Sequence, residues 1–174
     1  MNGKIDFLKL DLMDAVDLAI MIEDEAKERY EEFTTQVGSR YTGDAADVFF
    51  TMAKYELAHK EQLVAFRKKL FGVTPARMTR DMIWDVEAPS QSAPRTFMSS
   101  LQAMEVALEG ELKAHEFYSQ ALNVVKDEAV RSLFEELRNE EIEHQNLLKK
   151  WMKSQKGNNG PDRGDGDTDE PPGL

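Results

Sequence analysis

The chain has 174 residues, a formal net charge of −11, 41 % hydrophobic residues and no cysteine. That length suits one domain with a sizeable core. The acidic balance removes any electrostatic case for nucleic acid, and the lack of Cys excludes disulfides, thiolate zinc sites and iron–sulfur clusters within these residues. The first residues, MNGKIDFLKLDLMDAVDLAIMI, have no basic leader region and carry acids through their apolar part. No uncharged run approaches the ~18 residues needed to cross a bilayer. The expectation is a cytoplasmic protein with no membrane and no nucleic-acid partner.

Four segments place apolar residues at alternating spacings of three and four, the period of an amphipathic helix. The first runs Leu12, Val16, Ala19, Glu23, Ala26, Tyr30, Phe33, Val37 and stops at Gly38, a natural C-terminal cap. The second runs Ala45, Phe49, Met52, Glu56, His59, Leu63, Phe66, Leu70, with Asp44 as N-cap and Gly72 as the stop. The third runs Met104, Ala107, Glu111, Ala114, Tyr118, Ala121, Val125. The fourth, entered through Asp127, runs Val130, Phe134, Leu137, Glu141, His144, Leu148, Trp151.

In these stripes the charged residues stand where apolar ones are expected. A carboxylate on a core-facing position is costly unless a partner offsets its desolvation. Glu-x-x-His occurs at Glu56/His59 and again at Glu141/His144, and residues three apart share a helix face. Each motif is preceded by a lone core-facing Glu, Glu23 before the first and Glu111 before the second. Four carboxylates and two imidazoles on the inner faces of four helices meet the needs of a dinuclear metal site in a bundle core. Two divalent ions would neutralise four carboxylates, and without them the carboxylates repel and their pKa values rise. Glu56 and Glu141 are expected to bridge the ions, roughly 3.5–4 Å apart, with Glu23 and Glu111 terminal. Oxygen and imidazole ligands without sulfur suit iron or manganese; zinc would bind without redox chemistry.

The halves repeat each other. Residues 19–30, from Ala19 to Tyr30, align without a gap on Ala107 to Tyr118, and Phe49 to His59 align on Phe134 to His144. The links at about Ser39–Gly43 and Lys126–Asp127 are short, so helices 1 and 2 pair antiparallel, as do 3 and 4. Between helices 2 and 3 runs a longer stretch, about Val73 to Arg95, with Pro75, Pro89 and Pro94. Such a length fits a segment crossing the bundle from end to end. The expected fold is therefore all-α, a ferritin-like four-helix bundle with one long crossover between helices 2 and 3.

The bundle is expected over residues 1–156, followed at 157–174 by a disordered acidic Gly/Pro tail, GNNGPDRGDGDTDEPPGL. Its Asp165-x-Asp167-x-Asp169 lacks the Gly and distal Glu of a calcium loop. Tyr30 and Tyr118 lie two turns beyond Glu23 and Glu111. Two readings stand for them: hydrogen bonds to the ligand carboxylates, or plain core aromatics. His115 has Lys27 as its repeat counterpart, so an outward position is expected; Glu140 and Glu143 are expected on the solvent side, and Trp84 and Trp151 in packing.

Glu23 with Tyr30, Glu56-Leu57-Ala58-His59, Glu111, and Glu141-Ile142-Glu143-His144 resemble the diiron domain of rubrerythrins, within the ferritin-like superfamily, over about residues 10 to 152. The resemblance implies two iron ions and an oxidoreductase that reduces peroxide or dioxygen in oxidative-stress or iron handling, and it suggests a homodimer. Rubrerythrins also carry a rubredoxin domain with a cysteine-bound iron, for which this chain has no Cys. An external electron-donor protein is then required. The alternatives are a ferroxidase or iron-binding module, and a non-catalytic cargo or structural protein stabilised by metal. The resemblance places an extra carboxylate three residues after the helix-3 Glu, where this chain has Ala114. Slow peroxide reduction is expected, with Ala114→Glu raising it unless helices approach closely there, as the repeat partner Ala26 hints.

Overall fold

The computed structural model describes residues 5–38, 44–83, 86–95 and 97–158. It holds four helices, α1 (Leu12–Val37), α2 (Ala45–Phe71), α3 (Ser100–Leu122) and α4 (Glu128–Asn158), with a 3₁₀ turn at Arg80–Met82 and no strand among the described residues. The chain is all-α, a four-helix bundle.

Short polar side chains set the helix starts by taking up backbone N–H groups that have no partner inside the helix. Asp11 accepts from Asp14 N, Asp44 from Ala46 N and Asp47 N, and Asp127 from Ala129 N and Val130 N. Ser99 forms a reciprocal capping box with Gln102. Each such cap contributes about 1 kcal/mol. Gly38 and Gly72 follow α1 and α2 at φ 63° and 60°, the left-handed region that glycine enters without a Cβ penalty. The third helix ends earlier than its apolar stripe suggests: α3 stops at Leu122, and Val125 is buried from the turn that follows.

α1 packs chiefly on α2, and α3 chiefly on α4. One apolar cluster lies to each side of the middle of the bundle. The first gathers Val16, Leu18, Ala19 and Ile22 with Tyr118, Leu122, Phe134 and Leu137; the second gathers Tyr30, Phe33, Phe49 and Met52 with Ala103, Met104, Ala107 and Leu148. Asp17 and Arg29 are buried charges that the stripes did not single out. Both have partners: Arg67 forks onto Asp17, and Arg29 Nη1 donates to Pro89 O at 2.5 Å. Phe66 and Leu70, at the end of the α2 stripe, are exposed instead.

The connection from α2 to α3 can be followed along α1 by its contacts. Arg77 pairs with Asp11 and Asp14 at the start of α1, Arg80 with Asp24 and Glu28 at its middle, Pro89 meets Arg29, and Gln91 lines a surface cavity with Glu32 and Gln36. The segment thus climbs the length of α1 and delivers α3 from the opposite end of the bundle. One long crossover joins two helical hairpins. The expected 1–2 link at Ser39–Gly43, Trp84 and the tail from residue 159 lie outside the described residues; α4 continues to Asn158.

Candidate metal centre

Between the two apolar clusters, one layer of the bundle is filled with titratable side chains. Glu23 of α1, Glu56 of α2, Glu111 of α3 and Glu141 with His144 of α4 are all buried, and His59 of α2 is half-buried. The structure brings together all six residues singled out from the sequence. His59 and His144 stack in parallel, ring centroids 4.8 Å apart and planes inclined by 5°. Each turns its Nδ1 toward the lone Glu of its own half. His144 Nδ1 lies 3.0 Å from Glu111 Oε2, and His59 Nδ1 lies 3.8 Å from Glu23 Oε2. The internal repeat of the sequence is therefore a pseudo-twofold arrangement of side chains.

Donor atoms converge in three sets, within each of which they lie no more than 4.8 Å apart: Glu56, His59 and His144; Glu111, Glu141 and His144; and Glu23, Glu56 and Glu87. Glu87, from the crossover, was missed in the sequence. It is 1 % exposed, as deeply buried as Glu23. The signal that could have found it is Gly110, whose repeat partner is the buried Ile22. A Cβ at Gly110 would lie 2.9 Å from Glu87 O and 3.1 Å from Tyr30 Oη. Glycine is needed there because the crossover backbone presses against α3.

The electrostatics are those of a cation site. Both carboxyl oxygens of Glu56 and of Glu87, and one each of Glu23, Glu111 and Glu141, are buried with no hydrogen-bond partner among the described residues. Leaving such atoms unsatisfied costs on the order of 1–3 kcal/mol each, more when charged. Burial, then the neighbouring carboxylates, push Glu23, Glu56, Glu87 and Glu141 well above the usual carboxylate range. Burial and the adjacent His144 lower His59 to about 4, whereas for His144 the pull of Glu111 outweighs burial and raises it. When ionised, carboxylates facing one another can only accept, so they need either retained protons, which their raised pKa values favour, or a bound cation to satisfy them together. The residues fit bound metal, and hard oxygen and imidazole donors suit first-row ions.

Tyr30 and Tyr118 are fully buried, and their hydroxyls have no partner among the described residues. Burial first, and then the carboxylate across the bundle, Glu111 for Tyr30 and Glu23 for Tyr118, holds each hydroxyl well above its ordinary pKa. His115 is partly exposed and belongs to none of the donor sets. Glu143 is exposed as expected, but Glu140 is partly buried and lines a cavity of about 240 Å³ with His59, Gln62, Leu63, Phe66, Leu133, Glu136 and Leu137. That cavity leads from the surface to His59, whose side chain is 18 % exposed against 10 % for His144. Trp151 packs beside Tyr55.

No helix among the described residues is long and apolar enough to cross a membrane. No functionally curated protein matches the chain. Among solved structures, it is similar to an uncharacterized conserved protein from Magnetospirillum magnetotacticum MS-1, at 27 % identity and a TM-score of 0.63, covering 83 % of this chain and 95 % of that one. A hypothetical protein from Pyrococcus furiosus shares the fold at 18 % identity and a TM-score of 0.53, covering 85 % and 92 %. The rubrerythrin family model matches residues 14–152, with a further match at 102–166. With its motifs, its bundle and that match in agreement, the chain belongs to the rubrerythrin family.

Proposed function

We propose that this protein is a dinuclear iron oxidoreductase that reduces peroxide or dioxygen with electrons from a separate donor protein. The observation that carries the reading is the pseudo-symmetric pairing of His59 with Glu23 and His144 with Glu111 around buried Glu56 and Glu141. Two iron ions held by these six side chains would supply the electrons for reducing a small oxidant. The chain's own work is to fix the ligands, exclude bulk water and admit the oxidant. Buried stripes on all four helices fix the carboxylates. On this reading Tyr30 would orient Glu111 and Tyr118 would orient Glu23 once metal is bound.

Access runs through the cavity at His59. Its volume of about 240 Å³ suits peroxide, dioxygen and a few waters, and lies below the ~300 Å³ and more typical of sites for larger organic ligands. Reducing one peroxide to two waters takes two electrons and two protons. Glu140, in the cavity wall and raised by burial, can pass protons inward.

A ferroxidase reading draws on the same cavity, because Glu136 and Glu140 at its wall would also attract a ferrous ion as substrate. Anaerobic iron loading followed by peroxide and an excess of chemical reductant separates the two. The oxidoreductase reading requires many turnovers per protein. Oxidation that stops at the iron supplied supports the ferroxidase, and a protein purified and reconstituted without bound iron would sink both.

A further inference from the structure

The repeat accounts for six of the titratable groups in the centre but not for Glu87, which comes from the long crossover that has no counterpart in the other half. Its neighbours are tied to both flanking helices. Ala88 and Pro89 are buried; Lys113 of α3 donates to Ala88 O at 2.9 Å and Arg29 of α1 donates to Pro89 O at 2.5 Å. The notch at Gly110 lets Glu87 O approach α3. A glycine in a helix interior costs roughly 1 kcal/mol relative to alanine, so its presence at this close approach favours a purpose for it. What it brings inside is a carboxylate, 1 % exposed, with neither oxygen hydrogen-bonded among the described residues and one oxygen within 4.8 Å of donor atoms of Glu23 and Glu56.

We propose that Glu87 is a seventh metal ligand, supplied by the crossover, and that it makes the two ion positions unequal. This rests on the dinuclear reading above. On this assignment the α1–α2 position would take Glu23, Glu56 and Glu87, with His59 Nδ1 beside Glu23 at 3.8 Å, and the α3–α4 position would take Glu111, Glu141 and His144. An ion with a further anionic oxygen donor is held more tightly, and the harder or more highly charged ion is preferred there. With all five carboxylates ionised, two divalent ions leave one negative charge over, and a trivalent ion in the α1–α2 position removes it.

The test is titration of the metal-free protein with Mn(II), using the electron paramagnetic resonance signal of free aqueous Mn(II) to count what remains unbound. The variant is Glu87→Gln, which keeps shape and removes charge. Wild type is expected to bind two ions with distinct affinities. Glu87→Gln is expected to weaken the tighter one at least tenfold and leave the other within threefold. The metal-free variant is expected to stay helical and melt no lower than metal-free wild type, since an unpartnered buried carboxylate has been removed. Two ions bound by wild type and equally well by the variant would overturn the assignment of Glu87 while leaving the dinuclear centre standing. Equal weakening of both ions, or a metal-free variant that melts lower, would also overturn it by making Glu87 a general structural support. Wild type that binds fewer than two ions would remove the reading on which the assignment rests.

Discussion

The two halves of the centre begin from the same pattern and end differently. Glu23, Glu56 and His59 on α1 and α2 repeat as Glu111, Glu141 and His144 on α3 and α4, and the histidines stack almost parallel across the pseudo-axis. Yet the first half has the crossover's Glu87 beside it and the cavity opening onto His59, whereas the second half is more closed, with His144 hydrogen-bonded to Glu111. The difference traces to one pair of equivalent positions. Ile22 fills its place on α1 completely, while Gly110 leaves that place on α3 to the backbone of Glu87. A duplicated hairpin supplies a symmetric set of carboxylates and imidazoles; a segment present only once breaks that symmetry.

The largest expected effect comes from removing what the halves share. Binding to the folded state alone adds about 4 kcal/mol when free metal stands a thousandfold above its dissociation constant. Glu56→Ala and Glu141→Ala should each lose most of that increment, while Glu143→Ala, on the exposed face, should keep it. Melting curves of metal-free and metal-loaded proteins measure this directly. Coincident curves for the wild type would contradict a metal-stabilised centre.

pH should reveal the same crowding of carboxylates in the metal-free protein. Glu23, Glu56, Glu87 and Glu141 have folded-state values raised mainly by burial, so the folded chain binds protons that the unfolded chain has released. The stability they contribute is present below the ordinary carboxylate value of about 4.3 and is lost as pH rises through their raised values. His59, lowered to about 4, acts oppositely between there and its ordinary value near 6.5. The metal-free protein should therefore lose stability as pH rises above the ordinary carboxylate range, a fall that His59 partly offsets only up to its ordinary value near 6.5. Loaded protein should not show the fall, because metal binding favours the deprotonated ligands. Thermal melts at rising pH, with and without metal, check the sign.

Position 114 sharpens the comparison from the other side. Ala114 is completely buried in the cluster that holds Ala19, Ile22 and Tyr118. Overpacking a filled core costs about 1–3 kcal/mol, and a carboxylate there adds an unpartnered charge. Ala114→Glu should therefore lower the melting temperature and give no faster oxidation of the reduced protein by peroxide. A well-loaded Ala114→Glu protein that reacts faster in stopped flow would restore the expectation drawn from sequence resemblance.

The helical period made six residues legible, because a Glu or His inside an apolar stripe contradicts its surroundings. The caps at Asp44 and Asp127 and the stops at Gly38 and Gly72 were legible for a similar local reason: each side chain or glycine solves a problem of the helix end beside it. Glu87 carries no such contradiction. It sits in an irregular stretch where no period says which side faces inward, and its burial depends on a notch more than twenty residues later in the chain. Asp17 and Arg29 escaped for a related cause, since their partners Arg67 and Pro89 are distant in sequence and only the fold joins them. The early end of α3 was hidden because Val125 stays buried after the helix stops.

The smallest expected effect concerns the two tyrosines, which the sequence left between two roles. Both hydroxyls are buried without a partner among the described residues, and each lies under the influence of the carboxylate on the opposite helix. An unsatisfied buried hydroxyl costs about 1–3 kcal/mol, so removing it should leave the metal-free protein unchanged or slightly more stable. If Tyr30 orients Glu111 and Tyr118 orients Glu23 once metal is bound, Tyr30→Phe and Tyr118→Phe should each reduce the metal-dependent increment by about 0.5–1.5 kcal/mol, the net worth of one hydrogen bond. The two variants should differ in which ion they affect. Tyr30→Phe should weaken the ion of the α3–α4 half, and Tyr118→Phe the ion of the α1–α2 half, because each tyrosine serves the carboxylate across the bundle from it. Stepwise metal titration of the two variants reads this out. Increments equal to wild type in both would make the tyrosines packing residues alone.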